Sequence, residues 1–479
     1  MSTLEMLIAF GVFTLCLAAI ILLAFGDEAL IVDAEASGPA LSLAQKMLEE
    51  ERALARQDFR LANSTTTVVE AGPLVYNASV AVSQSDFFTK QATSTVTWES
   101  AGRPFSVELA TILTDSRSLS DDTCSSIVTG DWTRPALTSV PFLDLIATST
   151  GPYPISDVNA YRGKLYVSVA RTPYKTDPTF FIFDIADPAH PVLLGTLDNA
   201  PANTGGLAAV RIVEDRAASV VYAFAASASS FASGQLQVFD VTGAARPRVL
   251  VTYKIPLTHV PSAGLGNALA YRDGYVYLGL TSTSGDEFDI INVQDPSAPV
   301  WVGGYASGGH DVNAIAISGH YAYVASPAAQ EVTVLNIAVP ASPQYVAGFN
   351  APVGGGNGKS LYAIGTSLFL GKTAPNAGPE YYKLNIADPS AIQSANADPL
   401  TKETGSSING LVTRDFLSFV LTNAAFTVVS ATSTAQLSSV ALPASGSAYE
   451  PSMDCEGNAF YAASNDAGNN GSLSVITTP

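Results

Sequence analysis

Three patterns of hydrophobic and polar residues follow one another along the chain. Residues 6–26 are apolar or uncharged, a run long enough to cross a bilayer as a helix. Apolar residues then recur at helical spacing, with Met47, Leu54 and Leu61 seven positions apart. Beyond residue 63, short alternating runs separated by turn residues predict β-strands. The pattern therefore predicts one long N-terminal helix, apolar over 1–26 and amphipathic over 27–62, followed by β structure.

The strand-like segments form two groups. Over 63–139 the segments TTTVVEA, ATSTVTWES and PFSVELATIL predict a small antiparallel β domain, with VTWES and RPFSVELATIL as a hairpin and a linker at the end. Over 140–479 two motifs alternate, a strand ending in a proline-containing turn, as in FFIFDIADPAHPVLLG, and a strand–turn–strand unit, as in AYRGKLYVSV. Each period holds about four short strands, which is typical of a propeller blade.

The turn of the first motif carries a short polar side chain directly after its strand. The residues at this place are Asp184, Asp240, Asn292, Asn336 and Asn385, which are 44 to 56 positions apart. Asp and Asn can bond nearby backbone, and the proline that follows in most copies presets φ. The strand–turn–strand units predict seven blades, with six or eight left open. The last unit lacks an outer strand, and we expect a strand from residues 140–148 to close the ring. The predicted fold class is thus α+β and multidomain.

Two resemblances add to this interpretation. The repeat block resembles the LVIVD-type β-propeller repeat, whose pattern is L-x-I-x-D-x-x-D-P-x-x-P. The first residues, MSTLEMLIA, resemble the start of a processed type IV pilin, with an acid at position 5 of an apolar segment. That resemblance implies that Glu5 neutralises the N-terminal amine of Met1 in an adjacent subunit and that Met1 is N-methylated. It also implies that the numbering starts at the mature N-terminus and that the helix packs in a filament core.

The net charge and the cysteine content limit the kinds of partner and the disulfides that the chain can have. The formal net charge of −19 argues against nucleic-acid binding, which needs clustered Lys and Arg. Of the three cysteines, Cys16 lies in the apolar run, whereas Cys124 and Cys455 lie on the expected outer side, where a disulfide could persist. Pairing cannot be deduced from the sequence, so the Cys124–Cys455 bridge stays open here.

The sequence contains no motif that indicates an enzyme, a cofactor or a metal centre. The segment GGGNGKS (354–360) lacks the first glycine of a phosphate-binding loop and precedes a predicted strand instead of a helix. One ligand face is nevertheless a hypothesis: polar residues near the innermost strands could ring one mouth of the central channel and bind a glycan or a cation. These residues are Asp157, Asn159, Asn267, Asp311, Asn313 and Asn409. The alternative is that they are turn residues selected for backbone bonding.

Taken together, these features predict a structural protein and not an enzyme. The expected function is that of a subunit of an extracellular type IV pilus-like filament on a bacterial cell surface, displaying the propeller for adhesion. Its partners would be identical subunits, the prepilin peptidase and assembly machinery, the cytoplasmic membrane before assembly, and a surface ligand or glycan. The alternatives are a membrane-anchored monomeric β-propeller binding protein and a minor or tip pilin.

Overall fold

The computed structural model describes residues 37–55, 62–71, 74–84, 89–100, 102–114, 124 and 128–479, except 149, 175, 198–204, 216–217, 229–233, 263, 328–329, 353–354, 375–377 and 444. The chain divides into two compact units, Met1–Asp115 and Ser116–Pro479. The boundary falls inside the range 63–139 that the sequence assigned to the small β domain and linker.

The first unit packs a helix against an antiparallel sheet. Helix α1 covers residues 37–55, and the sheet has the order β1 (Thr65–Ala71), β2 (Leu74–Gln84), β3 (Thr89–Ser100), β4 (Arg103–Thr114). The predicted hairpin is present, with Ser100 opposite Arg103 at its turn. One face of α1 and one face of the sheet share a core whose buried members include Ala40, Ala44, Met47, Leu48, Ala55, Tyr76, Val80, Val96 and Trp98. Arg52 adds a polar link, donating from Nη2 to Thr111 Oγ1 at 2.6 Å.

The predicted α+β class with a long pilin-type helix is wrong for the described residues. Strands make up 54% of them and helix 8%, arranged in eight four-stranded sheets. Ahead of the first strand, the described helix is limited to residues 37–55. The prediction treated one helix as fold-defining, whereas short strands that pair with their sequence neighbours build most layers. No helix in the described part is long and apolar enough to cross a membrane. Met1, Glu5 and the apolar run 6–26 lie outside the described residues.

Seven four-stranded antiparallel sheets build the second unit, and six of them are continuous in sequence. Blades 1 to 3 are β6 (Ile155–Tyr161), β7 (Lys164–Val169), β8 (Phe180–Asp184), β9 (Val192–Leu197); β10 (Leu207–Asp215), β11 (Val220–Ser227), β12 (Leu236–Asp240), β13 (Arg248–Tyr253); and β14 (Gly266–Arg272), β15 (Tyr275–Leu280), β16 (Phe288–Asn292), β17 (Val300–Tyr305).

Blades 4 to 6 repeat this plan with strands of similar length. They are β18 (Ala314–Ser318), β19 (Tyr321–Ala325), β20 (Val332–Asn336), β21 (Gln344–Phe349); β22 (Gly358–Ile364), β23 (Ser367–Lys372), β24 (Tyr381–Asn385), β25 (Leu400–Lys402); and β26 (Ile408–Arg414), β27 (Leu417–Thr422), β28 (Ala425–Ser430), β29 (Gln436–Ala441). Short helical turns occur at Pro389–Ala391 and Ile392–Ala395. The first strand of each blade contacts the first strand of the next, which makes these strands the innermost ones.

Blade 7 combines the two ends of the unit. It consists of β30 (Ser452–Glu456), β31 (Ala459–Asn465), β32 (Gly471–Thr477) and an outer strand from upstream, β5 (Ala136–Pro141). Because β30 also contacts β6, the seven sheets close into a ring.

The closing strand lies earlier than the predicted range 140–148. Strand β5 ends at Pro141, and Phe142–Leu145 form a short helix instead. Phe142 is fully buried, with its ring centroid 5.1 Å from that of Phe181 in blade 1. The chain therefore leaves the edge of blade 7 at Pro141 because the next side chain packs in the core beside blade 1.

The turns after the third strands explain why the sequence repeats so visibly. In each of the five copies the Asp or Asn side-chain Oδ1 accepts a hydrogen bond from the backbone N–H two residues later, at 2.8 to 3.1 Å. This is a local Asx turn, and it reverses the chain without help from the rest of the fold. The acceptors are Asp184, Asp240, Asn292, Asn336 and Asn385.

Candidate binding channel

A cavity of about 540 Å³ lies where the seven innermost strands meet. Most of its lining comes from β6, β10, β14, β18, β22, β26 and β30 or from the residues that directly precede them, and Ala170 and Ala228 follow β7 and β11. Every blade thus contributes side chains to one shared channel along the centre of the ring.

A repeated irregularity of the backbone selects which side chains line this channel. In five blades the pairing of the first and second strands shifts register near the start of the inner strand, leaving one extra residue. Such a bulge re-aims a side chain without breaking the sheet. The extra residues are Ser156, Ala208, Asn267, Lys359 and Asn409, and all five line the cavity. In these five blades the bulge therefore places one side chain per blade in the channel lining.

Close approach of the neighbouring blade explains the glycines beside two of these bulges. A Cβ on Gly266 would lie 2.6 Å from Gln235 O, and one on Gly358 would lie 2.0 Å from Glu331 O. Only a residue without a Cβ fits at such distances. The glycine at the end of the GGGNG segment thus serves blade packing, and Lys359 beyond it enters the channel lining.

Two asparagines of the lining are held by the next blade. Asn267 Nδ2 donates to Val312 O and Asn313 Nδ2 donates to Gly358 O, both at 2.8 Å. These bonds fix the plane of each carboxamide. In the described structure neither Oδ1 atom has a protein donor, so each remains available as an acceptor. Asn409 Nδ2 donates instead to Asn423 Oδ1 at 2.7 Å, within its own blade.

Both signs of charge line the channel. Arg211 Nη1 lies 4.0 Å from Asp157 Oδ2, and Lys359 of blade 5 forms an ion pair with Glu450, which precedes the inner strand of blade 7. Asp157 Oδ2 also accepts from Val210 N at 2.9 Å. Burial raises the pKa of Asp157, whereas Arg211 and the hydrogen bond from Val210 N act to lower it. The arrangement offers amide, carboxylate, ammonium and guanidinium groups, which suit a polar molecule.

The structure brings five of the six predicted ligand-face residues into the channel lining. They are Asp157, Asn267, Asp311, Asn313 and Asn409. Asn159 is not among the lining residues. It links three blades, because its Nδ2 donates to Asp454 Oδ2 at 2.8 Å and its Oδ1 accepts from Ile212 N at 3.0 Å. Asp311 Oδ1 likewise accepts from Ser282 N of blade 3 at 2.7 Å. Backbone bonding between blades and channel lining thus coincide in several of these residues.

The structure also joins Cys124 and Cys455 in a disulfide, with Cα atoms 5.0 Å apart. Cys455 is fully buried, and Cys124 lies in an isolated parallel bridge with Gly457. The bond therefore fixes the segment ahead of β5 to blade 7.

Sequence reasoning missed Arg211, Lys359 and Glu450. The ligand-face hypothesis included only Asn and Asp near the inner strands and left out basic side chains at equivalent positions. A positional signal existed: Ser156, Lys359 and Asn409 each precede the last residue of their inner strand by five positions. The same interval separates Asn267 from Arg272 and Asn313 from Ser318. Counting back from each hairpin would have found Lys359.

Comparison with known proteins agrees with this architecture. The family model of the LVIVD repeat matches residues 175–199 and 309–350. Together with the closed ring of seven sheets, these matches identify the second unit as a β-propeller-type domain that contains LVIVD repeats.

Comparison with solved structures gives distant similarities. The AfRom2 CNH domain is similar at 9% identity and a TM-score of 0.42, over 67% of this chain and 94% of that one. A functionally unknown protein from Desulfotomaculum acetoxidans is similar at 12% identity and a TM-score of 0.41, over 61% of this chain and 90% of that one. No curated protein matches the chain.

Proposed function

We propose that this protein is a subunit of an extracellular, type IV pilus-like filament on a bacterial cell surface and that it presents its β-propeller for adhesion. The observation that carries the proposal is the first unit, in which α1 packs its alanine-rich face across a four-stranded antiparallel sheet. In the sequence this unit follows an apolar run over 6–26 that Glu5 directly precedes. The Cys124–Cys455 disulfide supports an oxidising location outside the cytoplasm.

In this proposal two interactions drive assembly, the burial of apolar residues and the pairing of two charges. The apolar residues 6–26 of neighbouring subunits bury one another after they leave the cytoplasmic membrane. Glu5 then pairs with the Met1 amine of an adjacent subunit. A subunit in the wrong register would leave a charge unpaired in a dry core, at a cost of about 3–5 kcal/mol. The pair therefore selects register as well as adding attraction. Prepilin peptidase and the assembly machinery are the partners that this route needs.

The proposal is tested by expressing the full chain, with a prepilin leader fused ahead of Met1, in a bacterium that carries a type IV pilus system. Electron microscopy of sheared surface material should show fibres from the native sequence and few or none from Glu5→Val. Glu28→Val is the matched control, because Glu28 lies beyond the apolar run, and it should form normal fibres.

Two results would contradict the reasoning at different points. Native protein that stays in the membrane as a monomer would overturn the filament proposal in favour of a membrane-anchored binding protein. Normal fibres from Glu5→Val would remove the charge-pairing step.

A further inference from the structure

We propose that the central channel binds a sugar residue that carries a carboxylate, with Arg211 as the anchor of the carboxylate and Asn267 and Asn313 as acceptors for its hydroxyl groups. This inference names the ligand class for the adhesive part of the proposed function and rests on it only in that respect.

Arg211 has donors to spare inside the channel lining. Its Nη1 donates to Val210 O at 3.1 Å, and its side chain is 46% exposed. The nearest carboxylate oxygen, Asp157 Oδ2, is 4.0 Å away, beyond hydrogen-bond distance, and already accepts from Val210 N. Most of the five N–H donors of a guanidinium thus remain for a ligand, and their planar fork matches a carboxylate in a bidentate manner.

The ionisation of Asp157 also bears on Arg211. Burial raises the pKa of Asp157, and the nearby Arg211 acts to lower it. Because the Asp157 carboxylate oxygen lies 4.0 Å from Arg211 Nη1, beyond hydrogen-bond distance, a ligand carboxylate would meet a cation that the protein neutralises only in part.

The amides of blades 3 and 4 complement hydroxyl groups. The Nδ2 bonds of Asn267 and Asn313 to the next blade hold both side chains before any ligand arrives, and each Oδ1 is left to accept. Preorganised groups of this kind lose little entropy on binding. Sugar hydroxyls can donate to such acceptors from several directions. Tyr449, which also lines the cavity, offers an aromatic face for the C–H side of a sugar ring.

Size and polarity separate this ligand class from apolar ligands. A cavity of about 540 Å³ lies in the range of small-molecule sites and accommodates a monosaccharide with water. An apolar ligand would leave these polar groups unpaired, which is costly.

The test uses the purified full-length chain in detergent and isothermal titration calorimetry at low salt. The probes are glucuronate, galacturonate and N-acetylneuraminate, with glucose and galactose as the uncharged counterparts of the two uronates. We expect at least one acidic sugar to bind about tenfold more tightly than the neutral sugars, a difference of about 1.4 kcal/mol. Arg211→Gln should abolish that preference while its circular dichroism and thermal unfolding remain like those of the native chain.

A matched control is available in the same blade. Arg248 lies on the outer strand, is 72% exposed and donates to Asp240 from Nε and Nη2 at 3.0 and 2.8 Å. Arg248→Gln removes the same charge far from the inner strands and should leave the preference intact. A second variant, Asn313→Ala, should weaken acidic and neutral sugars alike.

Three outcomes would overturn the proposal: no heat with any probe at millimolar concentration, equal affinity for acidic and neutral sugars, or equal losses in Arg211→Gln and Arg248→Gln. Because binding is measured on dissociated subunits, such a failure is independent of whether the chain forms fibres.

Discussion

Closure of the propeller depends on links between blade 7 and a segment that precedes blade 1. Strand β5 pairs with β32, and Cys124, twelve residues ahead of β5, is bonded to Cys455 in β30. Between these links, Trp132 packs edge-on against Phe419 at 4.8 Å and Phe460 at 5.4 Å. A pull from the N-terminal side therefore reaches the covalent bond before it reaches β5. We predict that replacing both cysteines, Cys124→Ala with Cys455→Ala, destabilises the propeller without preventing its closure.

The magnitude follows from the length of the closed loop. The two cysteines are 331 positions apart. In the chain-entropy treatment, a loop of that length lowers the entropy of the unfolded chain by the equivalent of about 6 kcal/mol at 25 °C. Losses measured for native disulfides are smaller, about 2–5 kcal/mol, because unfolded chains retain structure. We expect a loss within this measured range, since β5 and Trp132 remain in place to hold the ring.

Urea unfolding followed by tryptophan fluorescence provides the assay. Trp132 lies in the closure region and Trp301 in blade 3, so both report on the second unit. The variant should unfold at a clearly lower urea concentration, and the native chain under reductant should unfold at the same midpoint as the variant. Cys16→Ala is the control and should leave the midpoint unchanged. An unchanged midpoint in the double variant would refute the reasoning that the disulfide limits the unfolded state.

Two buried charged groups yield further predictions. Burial raises the pKa of Asp289 well above its ordinary value, so the unfolded chain ionises first as the pH rises, and stability falls above about pH 4. Asp289→Asn keeps an acceptor for the Trp301 indole N–H, which donates at 2.8 Å. Melting temperatures measured between pH 4 and 8 should therefore fall less steeply in this variant than in the native chain. Equal slopes in the two proteins would contradict the prediction. Lys372 is fully buried and lies 2.9 Å from Glu331. Lys372→Met should lower the free energy of unfolding in urea by about 3–5 kcal/mol, because it leaves Glu331 as an unpaired buried charge. The double variant Lys372→Met with Glu331→Leu should lower it by less. An equal or larger loss in the double variant would show that the two groups are not coupled.

The repeated turns were predictable because their physics is local. Asp184 and Asn292 bond the backbone two residues ahead, whatever the rest of the ring does. The β3–β4 hairpin was predictable for the same reason, since apolar and polar residues alternate in both strands and a short turn separates them. A short window of sequence contains all the atoms that take part in such elements.

Features that depend on distant chain segments were not predictable in this way. The outer strand of blade 7 ends at Pro141 because Phe142 packs against Phe181. Neither the residues next to Phe142 nor the alternation of apolar and polar residues around it reveals that contact. On α1, the seven-residue spacing grouped Leu54 with Met47, whereas Leu54 is 36% exposed and Glu51, a charged residue, is 3% exposed. The helix follows its own period of 3.6 residues, so the face that it buries against the sheet drifts away from a seven-residue repeat.

The candidate site shows why fold and specificity can be separated in a propeller. In five blades the bulge position of the inner strand has its backbone fixed by pairing on one side and by the neighbouring blade on the other, while its side chain belongs to the channel lining. Packing constrains the preceding residue, glycine at 266 and 358, but not the bulged residue itself. Side chains as different as Ala208, Asn267 and Lys359 therefore occupy equivalent places in one ring. A repeat pattern reports what the blades share, whereas the ligand is chosen by channel positions at which they differ, such as Asn267, Lys359 and Arg211.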